Sequence, residues 1–167
     1  MIRVAAGIIA GVWLTTFALN HFRLNLTPSA PIGLYRIVHE PVVRGSLVLL
    51  RDPMKTIVGW PGDTVRLTPE GTYINGKLIA DSAVPENSPY PPYPYQTIQL
   101  ERDMYWVINQ HPASYDSRYT GAVPGVLIGA RVQHMDSTMI ETWLALIGIA
   151  LIGIGVGLLL RSFHTHR

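Results

Sequence analysis

The sequence predicts a mainly β domain, a small bent sheet or open barrel, flanked by one membrane helix at each end. Three observations carry this. Two uncharged apolar runs, Val4 to Leu19 and Thr142 to Leu160, occupy the ends of the chain. Between them lie short runs that alternate or cluster apolar residues and are punctuated by Gly and Pro. Nothing in that middle region sustains the period of a helix. The predicted organisation is an N-terminal anchor over residues 1–20, an extracytoplasmic domain over 21–138, a second membrane helix over 139–161 and a cytoplasmic tail over 162–167.

Composition narrows the classes of function. The formal charge is +2 with Lys and Arg scattered, which does not suit a nucleic-acid partner. There is no cysteine, hence no disulfide framework and no Cys-based zinc site, and no metal or cofactor is expected. The positive mean hydropathy, +0.22, comes from the two ends.

Val4 to Leu19 rises roughly 24 Å as a helix, near the lower limit for crossing a bilayer. A cleaved signal peptide would share its positive start and apolar core. The exit Phe17-Ala18-Leu19-Asn20 offers no small-x-small pair, which favours a retained anchor. Thr142 to Leu160 is long enough to span, with Trp143 at its interfacial start. Arg3 before the first run and Arg161 after the second place both termini in the cytoplasm. Gly153 and Gly157 form a Gly-x-x-x-Gly spacing that permits close pairing of helices.

In the middle region, Ile37 to His39, Ser46 to Leu50 and Thr64 to Leu67 read as strands. Thr72-Tyr73-Ile74 and Lys77-Leu78-Ile79 flank Asn75-Gly76, the pair a type I′ hairpin turn requires. Met104 to Ile108 reads as a central strand and Val126 to Val132 as a closing one. Pro85 to Tyr95 holds too many prolines for a central strand. It is either a connector with polyproline II character or a flap that displays its tyrosines.

Ser29 lies between Pro28 and Pro31, each of which fixes its own φ and pushes the preceding residue toward extended backbone. That makes Ser29 a hydroxyl on a stiff, exposed turn, a good mount for a nucleophile. A base must accompany it. The histidines (His21, His39, His111, His134, His164, His166) form no recognisable triad with it, and there is no Gly-x-Ser-x-Gly elbow. Lys55 sits among Met54, Ile57, Val58 and Trp60. Either it is an ordinary surface lysine at a strand end, or burial there disfavours the ammonium form and creates a usable base. Lys77, after the hairpin turn, is expected in solvent.

Three stretches taken together resemble the type I signal peptidase family of Ser-Lys proteases. They are Asn25-Leu26-Thr27-Pro28-Ser29-Ala30-Pro31-Ile32-Gly33-Leu34-Tyr35, then Lys55-x-x-x-Gly59-x-Pro61-Gly62-Asp63, then Ser114-x-Asp116-Ser117-Arg118-x-x-Gly121-x-Val123-Pro124. The first spelling is most similar to the conjugative transfer signal peptidase branch. The resemblance implies a membrane-bound serine endopeptidase in which Ser29 is the nucleophile and Lys55 the general base. It implies that the Ser29 N–H and Thr27 form the oxyanion hole. Ser114 would orient the Lys55 amine, and Asp116 with Arg118 would hold the third stretch against the catalytic strands. Asn109-Gln110-His111 departs from the family's Gly-Asp-Asn at that place.

The implied partners are the lipid bilayer and signal-peptide-bearing precursors cut after small residues at −1 and −3, a pilin precursor or another transfer protein for this branch. The acyl-enzyme is resolved by water, or by an amine that closes a pilin ring. The implied location is the inner membrane of a bacterium with the catalytic domain in the periplasm. Two other readings stand beside this one: a housekeeping signal peptidase, and a non-catalytic bitopic β-domain in a secretion channel.

Overall fold

Antiparallel pairing dominates the chain between its two terminal helices. In the computed structural model, residues 2–50, 53–112 and 114–164 are described. Helix α1 (Ile2–His21) runs directly into β1 (Phe22–Asn25). There follow β2 (Gly33–Val38), β3 (Leu47–Leu50), β4 (Met54–Gly59), β5 (Thr64–Thr68), β6 (Gly71–Ile74), β7 (Lys77–Leu78), β8 (Thr97–Gln99) and β9 (Met104–Ile108). The short helix α2 (Ser117–Thr120), β10 (Val123–Pro124), a 3-10 turn (Gly125–Leu127), β11 (Ile128–His134) and helix α3 (Ser137–His164) complete it. The chain divides into two units, Met1–His134 and Met135–Arg167.

Seven strands form one sheet in the order β1-β2-β11-β3-β4-β9-β10, and four form a second in the order β7-β6-β5-β8. Every pair given is antiparallel. The larger sheet is open, with β1 and β10 at its edges. Register shifts at Ile57/Gly59 and Ile128/Arg131 add local twist and bend.

Most of the predicted strands are present within a residue or two, and Met104–Ile108 coincides with its prediction, but the strand predicted at Ile37 to His39 begins four residues earlier, at Gly33. The hairpin turn has φ of 52° at Asn75 and 81° at Gly76, the left-handed pair that Asn-Gly adopts at low cost. β1, β4, β8 and β10 were not predicted. β1, β8 and β10 are short, and the pairing partner rather than the strand's own pattern makes each a strand; β4 is longer and is fixed by pairing with β3 and β9 on its two sides.

The β-domain core has three clusters. Val65, Leu67, Ile74, Leu100, Trp106 and Ile108 pack between the sheets, and Val48, Ile57 and Val107 pack on the larger one. Ala30, Tyr35, Ile37, Met54 and Val132 form the third. That last group buries the residue directly after Ser29, so the turn carrying Ser29 is pinned to the core beside β4.

Both predicted apolar runs are helical, but membrane crossing is not borne out. Among the described residues no helix is long and apolar enough to cross a membrane. The helices do leave large apolar side chains uncovered: Val12, Trp13, Leu14 and Leu19 on α1, and Leu144, Ile147, Ile149 and Ile152 on α3. Gly153 is exposed with nothing packed on it. Of the predicted tail, 165–167 lie outside the described residues.

Candidate active site

Ser29 occupies a turn that follows β1 and is half-buried rather than exposed, because Ala30 is drawn into the core. Pro31 is tied down by the Tyr35 hydroxyl, which donates to its carbonyl at 2.7 Å. Tyr35 is fully buried, and the ring of His134 meets it edge-on. Gly33 is required by that packing: a Cβ there would lie 2.6 Å from His134 Nε2. The Gly33-Leu34-Tyr35 spelling thus has a structural meaning, a latch for the turn.

Lys55 lies on β4 between β3 and β9 and is only 3% exposed. Its ammonium donates to Ser114 Oγ at 2.6 Å. Burial pushes its pKa below the ordinary lysine value. The nearby Asp116 carboxylate works against that shift and the Arg118 guanidinium works with it. Lys77 is exposed, as expected.

Residues 109–118 build the ceiling over Lys55. Asp116 and Arg118 form a buried ion pair, Nε to Oδ1 at 2.8 Å and a second N–H to Oδ2 at 2.9 Å, with side chains at most 1% exposed. The same guanidinium donates to the carbonyls of Asn109 (3.2 Å), His111 (3.3 Å) and Ser114 (3.1 Å), so one cation gathers the loop. Asp116 also accepts from the Asn109 N–H and caps α2. Ser117 Oγ accepts from the N–H of Val107 on β9.

Asn109 was not singled out from sequence. Its side chain donates to Met54 O at 2.7 Å and accepts from the Thr56 N–H at 3.1 Å, gripping β4 on both sides of Lys55. Asn25 was likewise given no role, yet its side chain contacts much of the Ser29 turn. Neither had a signal beyond position, an Asn at the end of a strand.

The Pro/Tyr stretch is largely exposed but anchored at points along its length. The Tyr90 ring sits tilted against Tyr115 with centroids 4.8 Å apart, Tyr93 meets Trp106 edge-on, and the Tyr93 N–H donates to Arg118 O at 2.7 Å. It buttresses the loop that holds Ser114. At the corner after β4, Asp63 accepts from the Trp60 N–H, from Asn75 and from Arg44. Burial alone would raise its pKa, but these donors outweigh it and hold the carboxyl below its ordinary value.

Ser29, Thr27 and Lys55 line one cavity of about 650 Å³. Ser29 also lines a second cavity of about 710 Å³ with Ala30, Leu47, Val58, Ile108 and Pro112. Ser29 therefore lines both cavities, as do Pro28 and His111, and Lys55 lines the first. Ser29 Oγ lies 3.0 Å from Thr27 Oγ1. Among the described residues Ser29 makes no hydrogen bond to Lys55. Among those residues too, no cluster of side chains could hold a metal ion.

Residues 1–135 match the family "Signal peptidase, peptidase S26". The chain belongs to that family. A conjugal transfer protein TraF of Agrobacterium tumefaciens (strain 15955) is 30% identical over 142 residues, 66% of this chain and 80% of the relative. A probable signal peptidase I-2 of Synechocystis sp. is 36% identical over 72 residues, 42% of this chain and about a third (32%) of that protein. The crystal structure of a signal peptidase I from Enterococcus faecalis V583 aligns with a TM-score of 0.42 at 23% identity, over 57% of this chain and 100% of the other.

Proposed function

We propose that this peptidase S26 protein is a membrane-associated serine endopeptidase that removes signal peptides from exported precursors in conjugative transfer, with Ser29 as nucleophile and Lys55 as general base. The observation that carries the reading is Lys55 itself: a lysine buried in a strand, with a lowered pKa, on the wall of the cavity that Ser29 lines. A neutral amine there takes the Ser29 proton as Oγ attacks the scissile carbonyl. The Ser29 N–H and the Thr27 hydroxyl receive the charge on the carbonyl oxygen. The expelled amine takes the proton from Lys55, and the lysine then activates water to release the acyl group. Closure of a contact between Ser29 and Lys55 on substrate binding is ordinary for such sites.

The uncovered apolar side chains of α1 and α3 support seating in lipid. Both termini then face the cytoplasm of a bacterium, the catalytic domain faces the periplasm, and Gly153 with Gly157 offers a close helix contact. Similarity to conjugal transfer proteins supports a pilin-like or other transfer precursor as substrate. The match to a probable signal peptidase I favours, as second reading, a general role in secretion.

The test uses detergent-solubilised full chain and a panel of pilin and secreted precursors, with products read by mass spectrometry. Cleavage after a small-x-small site, abolished by Ser29→Ala and by Lys55→Ala, is the expected result. Cleavage that survives Ser29→Ala refutes the nucleophile. Because burial lowers the Lys55 pKa, the base form gains population as pH rises through that value. Activity is therefore lost in acid and climbs to a plateau with a midpoint below the ordinary lysine value of 10.5. A profile flat from acid to alkali contradicts the lysine base.

A further inference from the structure

The turn carrying Ser29 is organised by a side chain outside the proposed dyad and oxyanion hole. Asn25 closes β1 and is buried. Its Nδ2 lies 2.9 Å from Thr27 O, 2.9 Å from Ala30 O and 3.1 Å from Pro31 O. Three acceptors around that atom settle which way the amide faces, because an oxygen in its place would meet three oxygens and no proton. Oδ1 is then the atom that takes the Thr27 N–H at 3.2 Å and lies 2.8 Å from Thr27 Oγ1. An amide oxygen only accepts, so the Thr27 hydroxyl proton points at Asn25. A hydroxyl has one proton. The 3.0 Å contact between Thr27 Oγ1 and Ser29 Oγ is therefore donated by Ser29.

We propose that Asn25 is a positioning residue of this site, acting through Thr27 and Ser29. Its Nδ2 clamps the turn, and its Oδ1 holds the Thr27 hydroxyl in reserve until charge develops in the cavity. The inference rests on the reading of Ser29 and Lys55 given above. In the resting arrangement the Ser29 proton lies on Thr27 and not on Lys55. On attack, Ser29 Oγ bonds to the carbonyl carbon and its proton passes to the Lys55 amine. The C=O π pair moves onto the carbonyl oxygen. The Thr27 hydroxyl turns from Asn25 to that oxygen, donating a hydrogen bond and keeping its proton. A neutral carbonyl competes poorly with Oδ1 for this donor, whereas an oxyanion competes well. The donor is thus engaged in the transition state and not in the ground state. Through the turn the Thr27 N–H stays on Oδ1, so the backbone need not move.

The experiment is the precursor cleavage assay on the full chain in detergent, with Asn25→Ala, Thr27→Val, their combination and Ser29→Ala, each checked by thermal unfolding. Each single substitution is expected to lower kcat about 100-fold, the effect of losing one oxyanion donor. KM is expected to stay within roughly twofold, and the combination to fall within roughly twofold of the worse single variant, because both remove the same proton arrangement. Where Asn25→Ala does not accumulate folded, Asn25→Asp replaces it: it keeps an acceptor for Thr27 and offers no donor to the three carbonyls. Losses that multiply, an effect confined to KM, or wild-type kcat in a folded Asn25 variant overturn the inference. A wild type that cleaves no precursor, or cleavage that survives Ser29→Ala, removes the dyad reading and this inference falls with it. A working dyad with an indifferent Asn25 removes the inference alone.

Discussion

The two halves of the site are assembled in opposite ways. Residues 25–35 hold themselves. Asn25 reaches carbonyls two, five and six positions ahead, and Tyr35 reaches back four to Pro31. The lysine half is made of distant parts. Lys55 meets Ser114 across 59 positions, and Asn109 grips β4 across 53 and 55. One half is a local turn that the core seats through Ala30 and Tyr35. The other exists only when β4, β9 and the loop to α2 are together. A local loosening of the loop that holds Ser114 would thus cost Lys55 its environment while leaving the Ser29 turn intact.

The most severe way to break the lysine half is Lys55→Met, which keeps the bulk of the side chain. Cleavage should fall about 10⁴-fold, the upper range for a lost general base. Denaturant unfolding should show unchanged or higher stability, since an apolar group replaces a buried charge. A marked loss of stability would mean that Lys55 is structural. Arg118→Leu comes next. It leaves Asp116 buried without its cation and three loop carbonyls without their donor, and should cost about 3–5 kcal/mol in chemical denaturation.

Ser114→Ala probes the join more gently. The ammonium loses an acceptor, so its charged form is favoured less, and the midpoint of the pH–rate profile should move further down. A misplaced amine should lower kcat by up to about 100-fold. An unmoved midpoint would show that Ser114 does not touch the working lysine. The smallest effect is expected on the local side. Tyr35→Phe removes one hydrogen bond to Pro31 and should cost about 1 kcal/mol. Because Asn25 still clamps the same turn, kcat should change little, and a large fall would show that the turn is not self-supporting.

Much of this was readable from residue order for the reason the comparison exposes. Asn75-Gly76 announces its turn because φ above zero is a property of those two residues. Ser29 between prolines announces a stiff turn for the same kind of reason. The Lys55 box was suggestive because its apolar neighbours foretell burial. The roles of Ser114, Asp116 and Arg118 came by resemblance, and their contacts then gave the ion pair its purpose: one guanidinium closing a loop over the base. Asn25 and Asn109 were passed over because an amide looks alike whether it is solvated or gripping a strand.

Residue order alone, then, carried the β character and the apolar ends, which depend on local propensity and composition, while the three boxes and the candidate dyad came by resemblance. Folding decided the rest. It set the pairing of β4 between β3 and β9, and it put Ser29 where it lines two cavities. It also made a buttress of the Pro/Tyr stretch and turned the Ser29 hydroxyl toward Thr27. These are relations between groups far apart in the chain, or choices among hydrogen-bond partners that open only when water is excluded. A linear pattern records which groups are present, while the burial that assigns them partners arises only when the strands close on one another.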